Sequence, residues 1–169
     1  QTCALPISDG VVIPWVSTVE ELEAAIGDAR YPTEGRRGIG GERATAWGQC
    51  CVEHTAEANE NVLVIPLIEN VAAIPHVPAM CELDGTDVIF FGPNDFSATA
   101  GYRGQWEGPG VAEQILALKD TIRAAGKHAG LMTTSIDNLV QRREQGFRMM
   151  GIGSDSGLML RSIHQALQA

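Results

Sequence analysis

The sequence runs to 169 residues, with 44% hydrophobic and 20% charged side chains and 19 glycines, a balance that excludes disordered and fibrous classes and fits one globular domain. Twelve Lys and Arg against 21 Asp and Glu give a formal charge of −9, which argues against binding a nucleic-acid backbone, because that mode needs a clustered basic excess. No apolar run approaches the ~20 residues of a membrane span, so no membrane partner is expected, and 169 residues fall short of the ~250 of a closed eight-fold β/α barrel.

In chain order, short β-branched runs alternate with amphipathic stretches of helical length, the pattern of β/α units on a parallel sheet. The first strand is expected over residues 11–16. A helix toward Ala29 follows, started by a capping box of Ser17 with Glu20 or Thr18 with Glu21. A Gly- and Arg-rich connection over 30–48 comes next. The second strand, 62–68, ends in Glu69 and leads to a short helix from about Val71. The third, 87–91, ends in the turn Gly92-Pro93-Asn94-Asp95. After a Gly-rich loop, residues 111–125 place Val111, Ile115, Leu118 and Ile122 on one helical face, with Gly126 as the stop. A fourth strand over 128–132 precedes a helix from about Ser135 to Gln145. A fifth strand over 147–152 leads through Gly153-Ser154-Asp155 into a final helix, with Asp155 as its expected N-cap. Such units suit an open doubly wound sheet or a barrel. Both gather ligands at the carboxyl ends of their strands.

Two strands end in carboxylates there, Glu69 and Asp95. On neighbouring strands they would share one site, and two oxygen ligands completed by water and a chelating substrate suit a hard divalent ion such as Mg²⁺ or Mn²⁺. The competing reading is that each caps the helix that follows it. The Gly92-Pro93-Asn94-Asp95 turn offers backbone N–H groups for a substrate carboxylate, although a plain tight turn fits as well. The run Glu34-Gly35-Arg36-Arg37-Gly38-Ile39-Gly40-Gly41 lacks the third glycine of a dinucleotide fingerprint and the Lys-Ser/Thr of a P-loop. It is expected to be a flexible or subunit-contacting loop, with an anion contact through Arg36 or Arg37 as the alternative. Lys119 lies within a helix and Lys127 before a strand, so imine chemistry is disfavoured. His54, His76, His128 and His164 are scattered and read as structural or surface residues. Cys3, Cys50, Cys51 and Cys81 show no metal-ligand spacing and are expected to be reduced thiols of a cytoplasmic protein.

Three segments carry a resemblance: Arg30-Tyr31-Pro32-Thr33-Glu34-Gly35-Arg36-Arg37-Gly38-Ile39-Gly40, Ile65-Pro66-Leu67-Ile68-Glu69, and 84–97 with its Gly92-Pro93-Asn94-Asp95. Together with Gly146-Phe147-Arg148-Met149 and Gly153-Ser154-Asp155-Ser156-Gly157-Leu158, they resemble the HpcH/HpaI aldolase/citrate lyase family of class II pyruvate aldolases over about residues 10–169. The resemblance implies a partial (β/α)8 barrel of the phosphoenolpyruvate/pyruvate type with about five carboxyl-terminal units. It further implies Glu69 and Asp95 as ligands to Mg²⁺, Mn²⁺ or Co²⁺, and a 2-oxo acid carboxylate held at Gly92, Pro93, Asn94 and Asp95. The implied reaction joins or cleaves a carbon–carbon bond between a pyruvate-type enolate and an aldehyde. An acyl-CoA lyase of the citrate lyase beta type is the alternative. Leu67 stands where relatives often carry Gln. The family's general-base His and enolate-stabilising Arg have no counterpart in this sequence, which leaves the chain as given expected to be inactive. A homo-oligomer is implied for the full-length protein, with Leu158, Leu160, Ile163 and Leu167 as an apolar helix face.

The opening Gln1-Thr2-Cys3-Ala4-Leu5-Pro6-Ile7 matches the translation of a short-read sequencing adapter. Residues 1–9 are therefore expected to be a non-native leader, and 10–169 the carboxyl-terminal part of one barrel domain.

Overall fold

In the computed structural model, residues 8–168 are described. The expected leader therefore lies mostly outside the described residues. Five parallel strands form one sheet in the order β1-β2-β3-β4-β5: β1 (Gly10–Ile13), β2 (Leu63–Ile68), β3 (Val88–Phe91), β4 (His128–Met132) and β5 (Met149–Gly151). Sequential order decides between the two architectures left open above. A doubly wound sheet reverses its strand order at a switch point, whereas right-handed crossovers that always step the same way place every helix on one face, as in a barrel wall. The fold is a partial (β/α)8 barrel, with β1 and β5 each bonded to a single neighbouring strand among the described residues.

The strands bury two different faces. Val64 and Ile68, Ile89 and Phe91, and Ala129 and Leu131 alternate along β2, β3 and β4 into the core beneath the helices and are at most 2% exposed. Between them, Leu67, Phe90, Met132 and Met149 face the concave side. The helices α1 (Val19–Ala29), α3 (Val77–Glu82) and α5 (Ala112–Ala124) supply the covering layer. α1 starts with the Thr18–Glu21 capping box, in which the Glu21 N–H donates to Thr18 Oγ1 at 3.3 Å and the Thr18 N–H to Glu21 Oε2 at 3.2 Å. α5 buries Ile115, Leu118 and Ile122 as its periodicity requires, with Val111 directly before it also buried.

Four features differ from the expectations. The 30–62 connection contains a short 3₁₀ turn (Arg43–Thr45) and a full helix, α2 (Cys51–Asn61), that buries only Ala58 and so carries little apolar periodicity. Gly92 to Asp95 is not a tight turn but the start of helix α4 (Pro93–Thr99). β1 stops at Ile13, because Pro14 and the left-handed Trp15 (φ 57°) end the ladder. Ser154, not Asp155, caps α7 (Asp155–Leu167), accepting from the Gly157 N–H at 3.1 Å. Between β4 and β5 lies α6 (Ile136–Glu144).

Candidate active site

Glu69 follows β2 directly and is 9% exposed. It does not cap the 3₁₀ helix beyond it (Val71–His76). Asn70 does that, accepting from the Ala72 N–H at 3.0 Å. The Glu69 side chain instead turns toward β1, where the Trp15 N–H donates to Oε2 at 3.2 Å. Trp15's left-handed backbone aims that N–H, a contribution that no side-chain motif announces. On the other flank, a Cβ added to Gly92 would come within 2.6 Å of Glu69 Oε1, so only glycine lets the carboxylate pack there. Burial pushes the Glu69 carboxyl above the usual range, the Trp15 hydrogen bond opposes this, and the charge of Asp95 adds to the rise.

Asp95 lies exposed in the first turn of α4. That turn has a definite set of unused donors. The Gly92 N–H donates to Ile68 O at 3.1 Å, Pro93 has none, and the Phe96 N–H donates to Gly92 O at 3.0 Å. The N–H groups of Asn94 and Asp95 remain without an acceptor among the described residues, at the positive end of the helix. No side chain caps α4, so the capping role considered for Asp95 does not apply.

Glu69, Gly92, Pro93 and Asn94 line one pocket of about 500 Å³ on the concave face, with Leu67, Phe90, Met132 and Met149 among its apolar walls. Asp95 stands one residue beyond this lining, near enough for its charge to act on Glu69. Trp106 also lines the pocket, and its Nε1–H donates to Asn94 Oδ1 at 3.2 Å. No sequence motif marks Trp106; its loop is anchored by the neighbouring Glu107, which accepts from Asn138 Nδ2 at 3.1 Å and pairs with the buried Arg142 of α6.

The donor set fits a hard divalent cation. Two carboxylates are near enough for the charge of Asp95 to act on the buried Glu69, and no cationic side chain of the described residues contributes to the environment of Glu69. No cluster of three or more His, Cys, Asp or Glu side chains occurs among the described residues, so the remaining ligands would be water and substrate. Lys119 is buried and donates to Gln145 O at 3.0 Å, away from this pocket. No described helix is long and apolar enough to cross a membrane.

Comparison with known proteins places these features in a family context. The HpcH/HpaI aldolase/citrate lyase model matches residues 5–162. The chain is 34% identical over 152 residues to a 4-hydroxy-2-oxovalerate aldolase of Rhodococcus jostii, covering 90% of this chain and 58% of that protein. It is 33% identical over 162 residues to a hydroxypyruvate/pyruvate aldolase of Pseudomonas aeruginosa, covering 92% of this chain and 58% of the relative. Among solved structures, a HpcH/HpaI aldolase/citrate lyase family protein of Burkholderia cenocepacia superposes with a TM-score of 0.88 at 28% identity, over 95% of this chain and 64% of that one. The chain thus spans less than two thirds of the length of these relatives.

Proposed function

The chain belongs to the HpcH/HpaI aldolase/citrate lyase family, and from that premise we propose that it carries the metal- and carboxylate-binding half of a class II aldolase site acting on pyruvate or a related 2-oxo acid and an aldehyde. The observation that carries this reading is the buried Glu69 within electrostatic reach of Asp95, with no cationic side chain of the described residues acting on Glu69.

In this reading Glu69 and Asp95 hold Mg²⁺, Mn²⁺ or Co²⁺, which when bound supplies Lewis-acid stabilisation of negative charge developing on the substrate's keto oxygen. The Trp15 N–H orients Glu69 through Oε2 and leaves Oε1 for a ligand. The free N–H groups of Asn94 and Asp95 bind the substrate carboxylate, so that the 2-oxo acid lies across the mouth of the helix with Gly92 and Pro93 beneath it. Leu67, Phe90 and Met132 exclude water from the reacting carbons. Trp106 closes the pocket above Asn94. No His, Lys or Arg of the described residues lines this pocket.

Titration with Mn²⁺ followed by pyruvate tests the proposal. One Mn²⁺ per chain that pyruvate tightens, and that Glu69→Ala or Asp95→Ala abolishes, supports it. For the full-length gene product, carbon–carbon cleavage of a 4-hydroxy-2-oxo acid that persists after complete metal removal would refute it. The apolar face of α7, with Leu158, Leu160, Ile163 and Leu167 each at least 44% exposed, is assigned to a subunit contact of the full-length protein.

A further inference from the structure

At the opposite end of β1 and β2 the fold buries a cation that has no counter-ion among the described residues. Three arginines follow α1 in close succession. Arg30 pairs with Asp84 at 2.7 Å and Arg36 pairs with Asp28, but Arg37 forms no ion pair among the described residues. Arg37 is nevertheless 7% exposed. Its guanidinium lies 4.5 Å from the centroid of the Tyr31 ring, a contact that offsets part of the cost of burying the charge.

That ring is held in place. The Tyr31 N–H donates to Asn59 Oδ1 at 2.7 Å and Asn59 Nδ2 donates to Tyr31 O at 3.0 Å, which ties the loop to α2. His54 of α2 meets the ring edge-on, with centroids 5.9 Å apart, and its Nε2 is buried with no hydrogen-bond partner. Arg37 and His54 line the same cavity of about 250 Å³, which Asn61 and Val62 continue. A buried guanidinium with no ion pair and an orphaned imidazole nitrogen, on two residues that line one cavity, are complementary to oxygen acceptors bearing negative charge.

We propose that this cavity is a binding site for a small oxyanion, a carboxylate or phosphate group held by Arg37 and His54. Asp9 and Glu57 also border it, but both are exposed and solvated and neither pairs with Arg37. They favour a ligand with a single anionic group whose far end is neutral or donates hydrogen bonds. The cavity adjoins the amino ends of strands whose carboxyl ends carry Glu69, so occupancy acts on the stability of the fold and not on bond-making. The inference does not rest on the aldolase reading.

Calorimetric and thermal titrations with inorganic phosphate and with acetate, against chloride at matched ionic strength, test it on wild type and Arg37→Met. The wild type is expected to show one saturable site for at least one of the two anions, with a melting temperature raised by roughly 3–6 °C at tenfold excess over Kd. The tighter of the two names the ligand class. Arg37→Met, which keeps an apolar stem against Tyr31, is expected to lose that site while binding Mn²⁺ like the wild type. If Arg37→Met does not fold, His54→Phe, which keeps the edge contact and removes the donor, is expected to weaken binding about tenfold. Responses that do not saturate, or that are the same in wild type and in whichever variant folds, overturn the proposal.

Discussion

At its carboxyl end, the β1–β2 pair holds a buried carboxylate beside a second one; at its amino end it holds a buried guanidinium beside an imidazole. Both ends leave charge unneutralised, yet each tolerates it by a different device. Glu69 relies on a backbone donor, the Trp15 N–H, with the free donors of α4 nearby. Arg37 relies on the face of an aromatic ring whose backbone two Asn59 hydrogen bonds anchor. The difference teaches what each end is open to. One faces a pocket of about 500 Å³ that can admit a cation with its substrate, the other a cavity of about 250 Å³ sized for a small anion.

Removing the negative end breaks the comparison most sharply. Glu69→Gln is expected to lower Mn²⁺ affinity at least ~100-fold, read by calorimetry. The metal-free variant should be no less stable than the parent, because an unpaired buried charge is gone. A variant that binds Mn²⁺ as the parent does would remove Glu69 from the site. Gly92→Ala attacks the same carboxylate without touching a charge: its Cβ would fall 2.6 Å from Glu69 Oε1. A drop in Mn²⁺ affinity of about tenfold or more, with circular dichroism unchanged, is the expected result; an unaltered affinity would show that the packing against Gly92 is slack.

Trp106→Phe sharpens the contrast between holding a metal and shaping a pocket. It deletes the hydrogen bond to Asn94 Oδ1, worth ~0.5–1.5 kcal/mol. In the full-length protein kcat/KM for the aldehyde should fall about 2- to 10-fold while Mn²⁺ binding stays the same.

The smallest effect belongs to acid. The Arg36 guanidinium holds the Asp28 carboxyl below its ordinary value, and Arg30 does the same for Asp84. A carboxyl depressed in the folded state contributes stability that is present above its unfolded pKa and is lost as pH falls through the folded one. Below about pH 4 the segment from Arg30 to Arg37 should therefore gain amide exchange before the strands do. Asp84→Asn should flatten that acid response; exchange that rises equally everywhere would contradict it.

What was legible beforehand follows from how local each signal is. The position of Glu69 was readable because it directly follows an apolar strand, at the end where parallel sheets gather ligands whatever the rest of the fold does. The α5 face was readable because Ile115, Leu118 and Ile122 repeat at helical spacing. α2 was not, since it buries only Ala58 and its Asn59 and His54 serve contacts made 28 and 23 residues away, at Tyr31. α4 is hidden because Gly-Pro signals a turn in isolation, whereas here the Phe96 N–H bond to Gly92 O closes a helical turn. The role of Trp15 was hidden because it lies in a backbone dihedral. Of the two arginines weighed for an anion contact, Arg36 pairs with Asp28, and Arg37 has no ion pair among the described residues.

The clamp between Glu107 and α6 has a consequence for how such a protein can diversify. Because Asn138 and Arg142 hold the loop that carries Trp106, a substitution on the outer helix can tilt the indole over the pocket without disturbing a single ligand of the cation. On the proposed reading, substrate preference and metal retention then lie on separate parts of the chain, and substitutions in α6 can change which aldehyde is accepted while Glu69 and Asp95 stay in place.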